Sequence, residues 1–364
     1  MNQNLALRVL GNVMNWDESR SREEFNWLRT ISRFKYDGYR GFLAGARFVE
    51  NLVYWLQQFD TTERETAYGF VRRQLVYVSS AQMEHLVDLF YPETVQRRLL
   101  KAVSDQLSIP VYRAWALREA SEAYYELLRK TLFLGLSDGA QMDVFRRANA
   151  GRISNEQVVI ATEISPDKWT SLLSNLKKDS GADARFAFVF LIDDFTASGT
   201  NLLRKQDGHW QGKLHRFWRQ TQGVTQTHFA DQWVLCIHHY IGTSQSKETV
   251  SRRNADAEGE LTQWFPRVEF SFGTTLSDDL RVCPERHGDF IKLIDGRYNP
   301  SIETHHFTVG GDTDVRLGFG QCALPLVLEH NTPNNSIALL WAVSEANDNQ
   351  PEMRPLFERR QRHI

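Results

Sequence analysis

Cysteine is scarce in this chain. Cys236, Cys283 and Cys322 are the only three in 364 residues, they stand far apart, and none forms a CxxC pair. That argues against a disulfide framework and against a cysteine-built zinc site, and it leads us to expect a reducing, cytoplasmic setting. Long apolar runs are also missing. No segment approaches the roughly 20 apolar residues of a membrane-spanning helix. The opening MNQNLALRVLGNVMNWDESR lacks the basic stretch and apolar core of a signal peptide, so we expect no membrane association. Neither sign of charge dominates, the net charge being −2. The chain as a whole does not read as a polyanion binder, which leaves room for a local basic face. We find no zinc finger, no motif that reads a DNA groove, no internal repeat and no low-complexity tract. What remains is ordinary apolar content, 41%, and a high aromatic content, 12%. That is enough for two domains with anchored cores.

Residues 1–130 read as helical. Phe48, Val49, Leu52, Val53, Leu56 and Phe59 recur at three- and four-residue spacing and build one apolar stripe. The residues 60–63, DTTE, supply a cap and a restart, and 65–90 continue the pattern until Pro92 interrupts it. Amphipathic pieces follow at 95–107 and, beyond Pro110, at 111–130. We expect an all-helical, bundle-like domain over 1–130 that serves structure or partner docking.

The pattern then changes. Short apolar runs at 132–136, 158–162, 186–192, 233–241, 268–272 and 324–328 alternate with polar turns, and 337–343 fits strand or helix. Helical pieces are expected at 165–178 and 201–220, a polar surface loop at 252–259, and a polar, basic tail over 347–364. Strands alternating with helices predict an α/β domain over 131–346 with a largely parallel sheet.

The most informative stretch is 188–201, FVFLIDDFTASGTN. The apolar run 186–192 suits a strand buried on both faces, as in parallel sheets. Asp193 and Asp194 follow, then the small turn Ala197, Ser198, Gly199, Thr200, Asn201. Acids and a glycine turn at the end of such a strand lie where open α/β sheets bind ligands, and backbone N–H groups of a small-residue turn can cradle phosphate. A buried strand ending in an Asx-type turn is the plainer reading, but two adjacent acids there are costly without a partner.

This segment resembles the phosphoribosyl-pyrophosphate (PRPP) motif of type I phosphoribosyltransferases, an apolar strand, two acids and a threonine/glycine-rich phosphate loop. Laid on without a gap, Asp193 and Asp194 fall on the acid pair. Ala197 and Ser198 fall on the hydroxyl positions, Gly199 on the loop glycine and Asn201 on the closing threonine. Ala197, Thr200 and Asn201 depart from the pattern; they change side-chain donors and leave backbone donors intact. The resemblance implies that Asp193 and Asp194 hold the ribose hydroxyls and, through water, a ligand-bound Mg²⁺, while residues 197–201 hold the 5′-phosphate.

Other residues carry weaker signals. The run 132–136 ends in Ser137, Asp138 and Gly139, where the resemblance puts a pyrophosphate loop. The usual basic residue is absent, and Asp138 repels a pyrophosphate unless Arg146, Arg147 or a metal offsets it. A capped strand-to-helix turn fits the same residues equally well. His330, Asn331 and Asn334 lie in HNTPNNS, a turn by composition that also offers donors and acceptors to a base edge or hydroxyls. Of His238 and His239, adjacent in a strand, only one can face the site. Lys247 fits a phosphate contact or solvent. Glu303, His305 and His306 lack the spacing of a known metal site.

Taken together, YDGYRGFLAGARFVENL, LFLGLSDGAQMDVFRR, FLIDDFTASGT and HNTPNNS also resemble the phosphoribosyltransferase-like effectors of prokaryotic conflict (anti-phage defence) systems, including some retron loci. That implies a toxin-like effector held in check by a defence partner protein or a retron ribonucleoprotein. Three functions follow as expectations: a pentosyl (phosphoribosyl) transferase using PRPP or a phosphoribosyl nucleotide, a catalytically silent nucleotide sensor, or a nucleotide N-glycosidase.

Overall fold

The computed structural model describes residues 3–42, 47–160, 163–303, 307, 314–347 and 350–359. The strands are β1 (Val76–Val78), β2 (Thr131–Gly135), β3 (Val158–Val159), β4 (Phe186–Thr196), β5 (Arg204–Gln206), β6 (His209–Gln211), β7 (Phe229–Thr243), β8 (Val268–Leu276) and β9 (Leu326–Leu328). Two compact units divide the chain, one made of Met1–Gln82 with Ser277–Ile364 and the other of Met83–Leu276.

The second unit is built on a five-stranded sheet in the order β3-β2-β4-β7-β8, parallel throughout. The expected α/β class and the central place of the 186–192 run both hold. Period-two alternation sends alternate residues to opposite faces. Leu132, Leu134, Val189, Leu191, Leu235 and Ile237 meet the apolar sides of the helices Pro166–Ser180, Lys213–Thr221 and Ser244–Glu260 on one face. Phe133, Phe190, His238 and Tyr240 meet Phe90 and Phe145 on the other. Both faces are covered, which is why β2 and β4 need unbroken apolar runs. In chain order the sheet reads second, first, third, fourth, fifth. The chain first moves one way from β2 and then reverses to β4, so a topological switch point falls between β2 and β4.

The first unit is mainly helical, with Gln3–Met14, Glu18–Phe34, Phe48–Leu56, Arg64–Arg73 and Pro284–Arg297 around a shared core. It also holds a short parallel sheet of β1 and β9. Its core includes Phe357, fully buried and stacked on Phe48 at 5.5 Å, and Trp55 Nε1 donates to the carbonyl of Leu339 at 2.8 Å.

Several expectations change here. The helical region before residue 130 contains a strand, β1, within the stretch 65–90 expected to stay helical. Residues 324–328 supply β9 to that small sheet and not to the five-stranded one. Pro92 does not stop its helix, because a π-turn, Tyr91–Gln96, takes it up between Ser80–Phe90 and Arg97–Leu107. Residues 201–220 are not one helix. Asp207 and Gly208, with φ of 50° and 79°, turn β5 back onto β6, and the helix begins only at Lys213. The stretch 252–259 is helical, within Ser244–Glu260, whose Thr243 cap bonds the N–H of Ser246. Met353, Leu356 and Phe357 are core residues, so the end of the chain is anchored to at least Phe357. Residues 337–343 contain a short helix, Ala338–Trp341. Thr162, His305 and His306 lie outside the described residues.

Phe190 is fully buried and stacks on Phe133 at 5.5 Å. Phe190→Ala should therefore lower stability by about 3–5 kcal/mol. Tyr112→Ala, at a side chain 79% exposed in the same unit, should shift it by under about 0.5 kcal/mol. Urea unfolding of the two variants checks this; equal effects would refute the central place of β4.

Candidate functional site

The carboxyl end of β4 runs beyond that of β2. The β2–β4 ladder ends at Gly135 opposite Ile192, and Leu136 N–H adds one more bond, to Ile192 O at 2.7 Å. That brings the next residue, Ser137, beside the first acid. The Ser137 hydroxyl donates to Asp193 Oδ1, and the Lys213 ammonium pairs with Asp193 Oδ2. Asp194 N–H also donates to Asp193 Oδ1, at 3.2 Å. Asp193 is 3% exposed. Burial pushes its carboxyl above the usual range, Lys213 pulls it back, and Asp194 adds to the rise.

Asp194 faces the other way along the strand. Its Oδ1 accepts the N–H of Phe195 at 2.8 Å. Its carboxylate packs on Gly139, where a Cβ would stand 2.6 Å from Asp194 Cγ. The 137–139 loop and both acids thus form one cluster, and residue 139 has no room for a side chain.

The turn after β4 is held from outside itself. The Thr243 hydroxyl donates to Ala197 O at 2.6 Å, and Leu202 and Leu203 N–H both reach Gly199 O at 3.2 Å. Thr200 N–H reaches the Ser198 hydroxyl at 3.3 Å, and Arg253 Nη1 reaches Thr200 Oγ1 at 3.4 Å. Gly199 has φ of 71°, which favours glycine, and packs on Val250. Ser198 and Thr200 are buried. Among the described residues, no group accepts the N–H of Ser198, Gly199 or Asn201. Ser198 and Gly199 are buried and Asn201 is exposed; buried N–H groups without acceptors are rare, and N–H groups around a left-handed residue can form an anion-binding concavity.

His239 is opposite Asp193 in the β4–β7 register and stacks on Phe272 at 6.0 Å. It is 2% exposed, and its Nδ1 has no partner. Burial, then the Lys213 charge, lowers its pKa to about 3 against a smaller opposing pull from Asp194, so it is neutral at physiological pH. His238 points to the opposite face, onto Phe90 at 4.2 Å, with Nδ1 and the Ser271 hydroxyl 2.9 Å apart.

The remaining sequence candidates have other surroundings. Arg147 pairs with Asp143 at 3.3 Å, and Arg146 is exposed on the same helix. Lys247 is exposed. His330, Asn331 and Asn334 belong to the first unit. Asn331 exchanges backbone bonds with Leu328, and Asn334 O accepts Phe319 N–H at 2.7 Å. The neighbouring Thr332 and Ser336 hydroxyls donate to Phe357 O at 3.0 Å and Leu326 O at 2.6 Å. The backbone of this segment is a turn, as its composition suggested. The residue that sequence reading missed is Lys213. The signal available was the Asp207-Gly208 pair, which marks a two-residue hairpin and moves the start of the helix to Lys213.

Lys213 offsets part of the cost of burying a carboxyl group. In Lys213→Met, Asp193 is left alone, and we expect a loss of about 3 kcal/mol at about pH 7. Asp193→Asn should cost less, because the Lys213 side chain is 23% exposed and can turn to water. The pH dependence follows from the raised Asp193 pKa. A carboxyl whose folded pKa exceeds its unfolded value loses stability as pH rises through the folded pKa. Without Lys213 the Asp193 carboxyl is raised further, so the Lys213→Met deficit should shrink as pH falls toward the ordinary carboxyl range. The readout is the difference from wild type, because buried His238, with its lowered pKa, costs both proteins stability as pH falls below the ordinary histidine value; removing the Lys213 charge also eases the lowering of the His239 pKa, which shrinks the deficit in the same direction. A deficit that does not change with pH would show that Lys213 acts only by packing.

No helix among the described residues is long and apolar enough to cross a membrane, and Cys236, Cys283 and Cys322 form no disulfide with one another. No curated protein and no solved structure matches the chain. The model of the family PRTase-CE matches residues 52–359, a span that takes in the 137–139 loop, both acids and the 197–201 turn. With well over half of its length matched around this cluster, the chain belongs to the PRTase-CE family and is a phosphoribosyltransferase-like protein.

Proposed function

We propose that the crevice at the carboxyl ends of β2 and β4 binds PRPP or another phosphoribosyl nucleotide and transfers its phosphoribosyl group to an acceptor. The observation that carries this reading is the turn 197–201, buried as far as Thr200, whose N–H groups at Ser198, Gly199 and Asn201 have no acceptor among the described residues, next to two acids at a topological switch point. A phosphate accepts several N–H donors at once. Carboxylates accept from ribose hydroxyls, and negative charge near C1′ stabilises an oxocarbenium-like transition state. Asp194 is our choice for that role, because Asp193 already accepts from Ser137 and Lys213. In the transfer, the bond from C1′ to the leaving oxygen breaks and its electron pair departs on pyrophosphate. The acceptor's lone pair forms the new bond to C1′, and the acceptor gives up a proton.

Magnesium fits this site only as a companion of the ligand. Among the described residues no group of three or more histidine, cysteine or acidic side chains could hold a metal ion, and Lys213 already matches one acid. When bound to a diphosphate, Mg²⁺ supplies charge neutralisation; on the protein side, Asp194 would meet it through water.

One observation favours a sensor that binds its ligand without turning it over. Asp138 is an acid in the loop expected to grip pyrophosphate, and no described hydrogen bond or ion pair brings a basic side chain to residues 137–139. On the resemblance of its short elements, we also propose that the protein is an effector of an anti-phage system, restrained by a defence partner or a retron ribonucleoprotein.

Mass spectrometry of the nucleotide pool, in cells with and without the protein, separates these readings. Transfer yields a new ribosylated product, N-glycosidase activity yields free base, and a sensor leaves the pool unchanged. We expect a change that Asp194→Asn reduces about 100-fold or more while the melting temperature stays near wild type. A folded Asp194→Asn protein with full activity would remove the acid pair from the mechanism.

Binding is tested separately by calorimetry with PRPP and a nucleoside monophosphate. Gly199→Val should weaken both at least about tenfold, since a side chain there blocks backbone approach. Val250→Ala in the same protein relieves the packing clash. Unchanged affinity in the folded double variant would sink the phosphate-loop reading.

A further inference from the structure

The hairpin after the phosphate loop gathers arginines beside it. Arg204 opens β5, and Arg216 lies one turn into the helix Lys213–Thr221. Arg252 and Arg253 follow Val250, the residue that packs on Gly199. Arg253 joins this cluster to the loop, since the same Nη1 that reaches Thr200 also donates to Leu203 O at 2.9 Å. Arg204 Nη2 donates to Gln211 Oε1 at 2.9 Å, and its Nε is buried without a partner.

No carboxylate answers these charges. Among the described residues, none of Arg204, Arg216, Arg252 and Arg253 forms an ion pair. Glu260, at the end of the helix Ser244–Glu260 that carries Arg252 and Arg253, is taken by Lys205 and by Trp210 Nε1 at 2.9 Å. Elsewhere in this unit Arg98 pairs with Glu269 and Arg129 with Asp179. The cations press on one another. After burial, Arg216 is what lowers the Arg204 pKa, and Arg252 and Arg204 lower that of Arg253. Such a group is costly to hold together unless an anion joins it.

We propose that this arginine cluster binds phosphates beyond the first, so that the site takes a nucleoside 5′-di- or triphosphate in preference to a 5′-monophosphate. The inference rests on the phosphate-binding reading of residues 197–201. The turn's N–H groups take the first phosphate. Arg253, already at Thr200, and Arg204, four residues further on, take the next ones, for which planar guanidinium donors are well matched. Within that reading, the balance moves from PRPP, with one 5′-phosphate, to a nucleotide carrying a 5′-polyphosphate. A nucleic-acid strand fits less well. It needs a basic track several phosphates long, whereas this cluster is bounded by the Lys205–Glu260 pair.

The test is calorimetric titration of the full chain with adenosine and guanosine mono-, di- and triphosphates at fixed ionic strength. We expect affinity to rise about tenfold or more from mono- to triphosphate, which is about 1.4 kcal/mol. Arg216→Gln/Arg252→Gln removes two exposed side chains without described partners. It should cut triphosphate affinity about tenfold, to near that of the monophosphate. Equal affinity for all three phosphate lengths overturns this proposal and leaves the phosphate loop standing. Binding of none of them removes the loop reading and this proposal together. Tighter binding of a 5′-phosphorylated single strand than of the triphosphate, lost in the same variant, overturns it in favour of nucleic acid.

Discussion

A carboxylate at the end of a strand buried on both faces is the constraint around which the site is arranged. Asp193 cannot avoid burial, because β4 is central and its run from Phe186 to Ile192 faces protein on both sides. An isolated charge there would be far too costly to keep. The chain answers with Lys213 and with the Ser137 hydroxyl. One side chain therefore ties together the end of β4, the loop after β2 and the first residue of the helix Lys213–Thr221. A buried pair of this kind adds little net stability over an apolar core, yet breaking it is expensive. Its effect is to make one arrangement of these three segments far better than its neighbours. The crevice takes its shape from that preference.

Much of this could be read in the sequence, for physical reasons that differ from part to part. The β4 run and the two acids after it are local, and a fully buried parallel strand has few ways to look. The turn 197–201 is local too. Lys213 was hidden because its partner is twenty residues away across a hairpin, and because Leu202 and Leu203 imitate the start of a helix. The polar helix Ser244–Glu260 escaped since only Ser246, Val250 and Ala257 are buried along it. Periodicity has little to register in such a segment. The β1–β9 pairing joins residues some 250 apart, and no window of sequence carries that. The expected boundary near residue 130 followed a change in local pattern. The compact units follow contacts instead: the helices from Met83 onward pack with the sheet, while residues beyond Ser277 return to the first unit.

The net charge of −2 is a sum, and it conceals how the charges are laid out along the crevice. At the β2–β4 end stand Asp138, Asp193 and Asp194, with Lys213 offsetting one of them. At the turn the charge is partial and positive, from N–H groups around Gly199. Beyond the turn stand Arg253, Arg204, Arg216 and Arg252, none in an ion pair among the described residues. The polarity of the site thus runs from acceptor to donor over the length of one loop and one hairpin. A nucleotide has the matching polarity, with ribose hydroxyls that donate at one end and phosphate oxygens that accept at the other. On the proposed reading the cations would lie on the 5′ side of the phosphate turn, the ligand would be held by its 5′ end, and the C1′ end would be left to Asp194 and the neutral imidazole of His239. Chemistry at C1′ would then depend on how well the 5′ end is anchored, since binding energy from a remote part of a ligand is what positions its reacting centre.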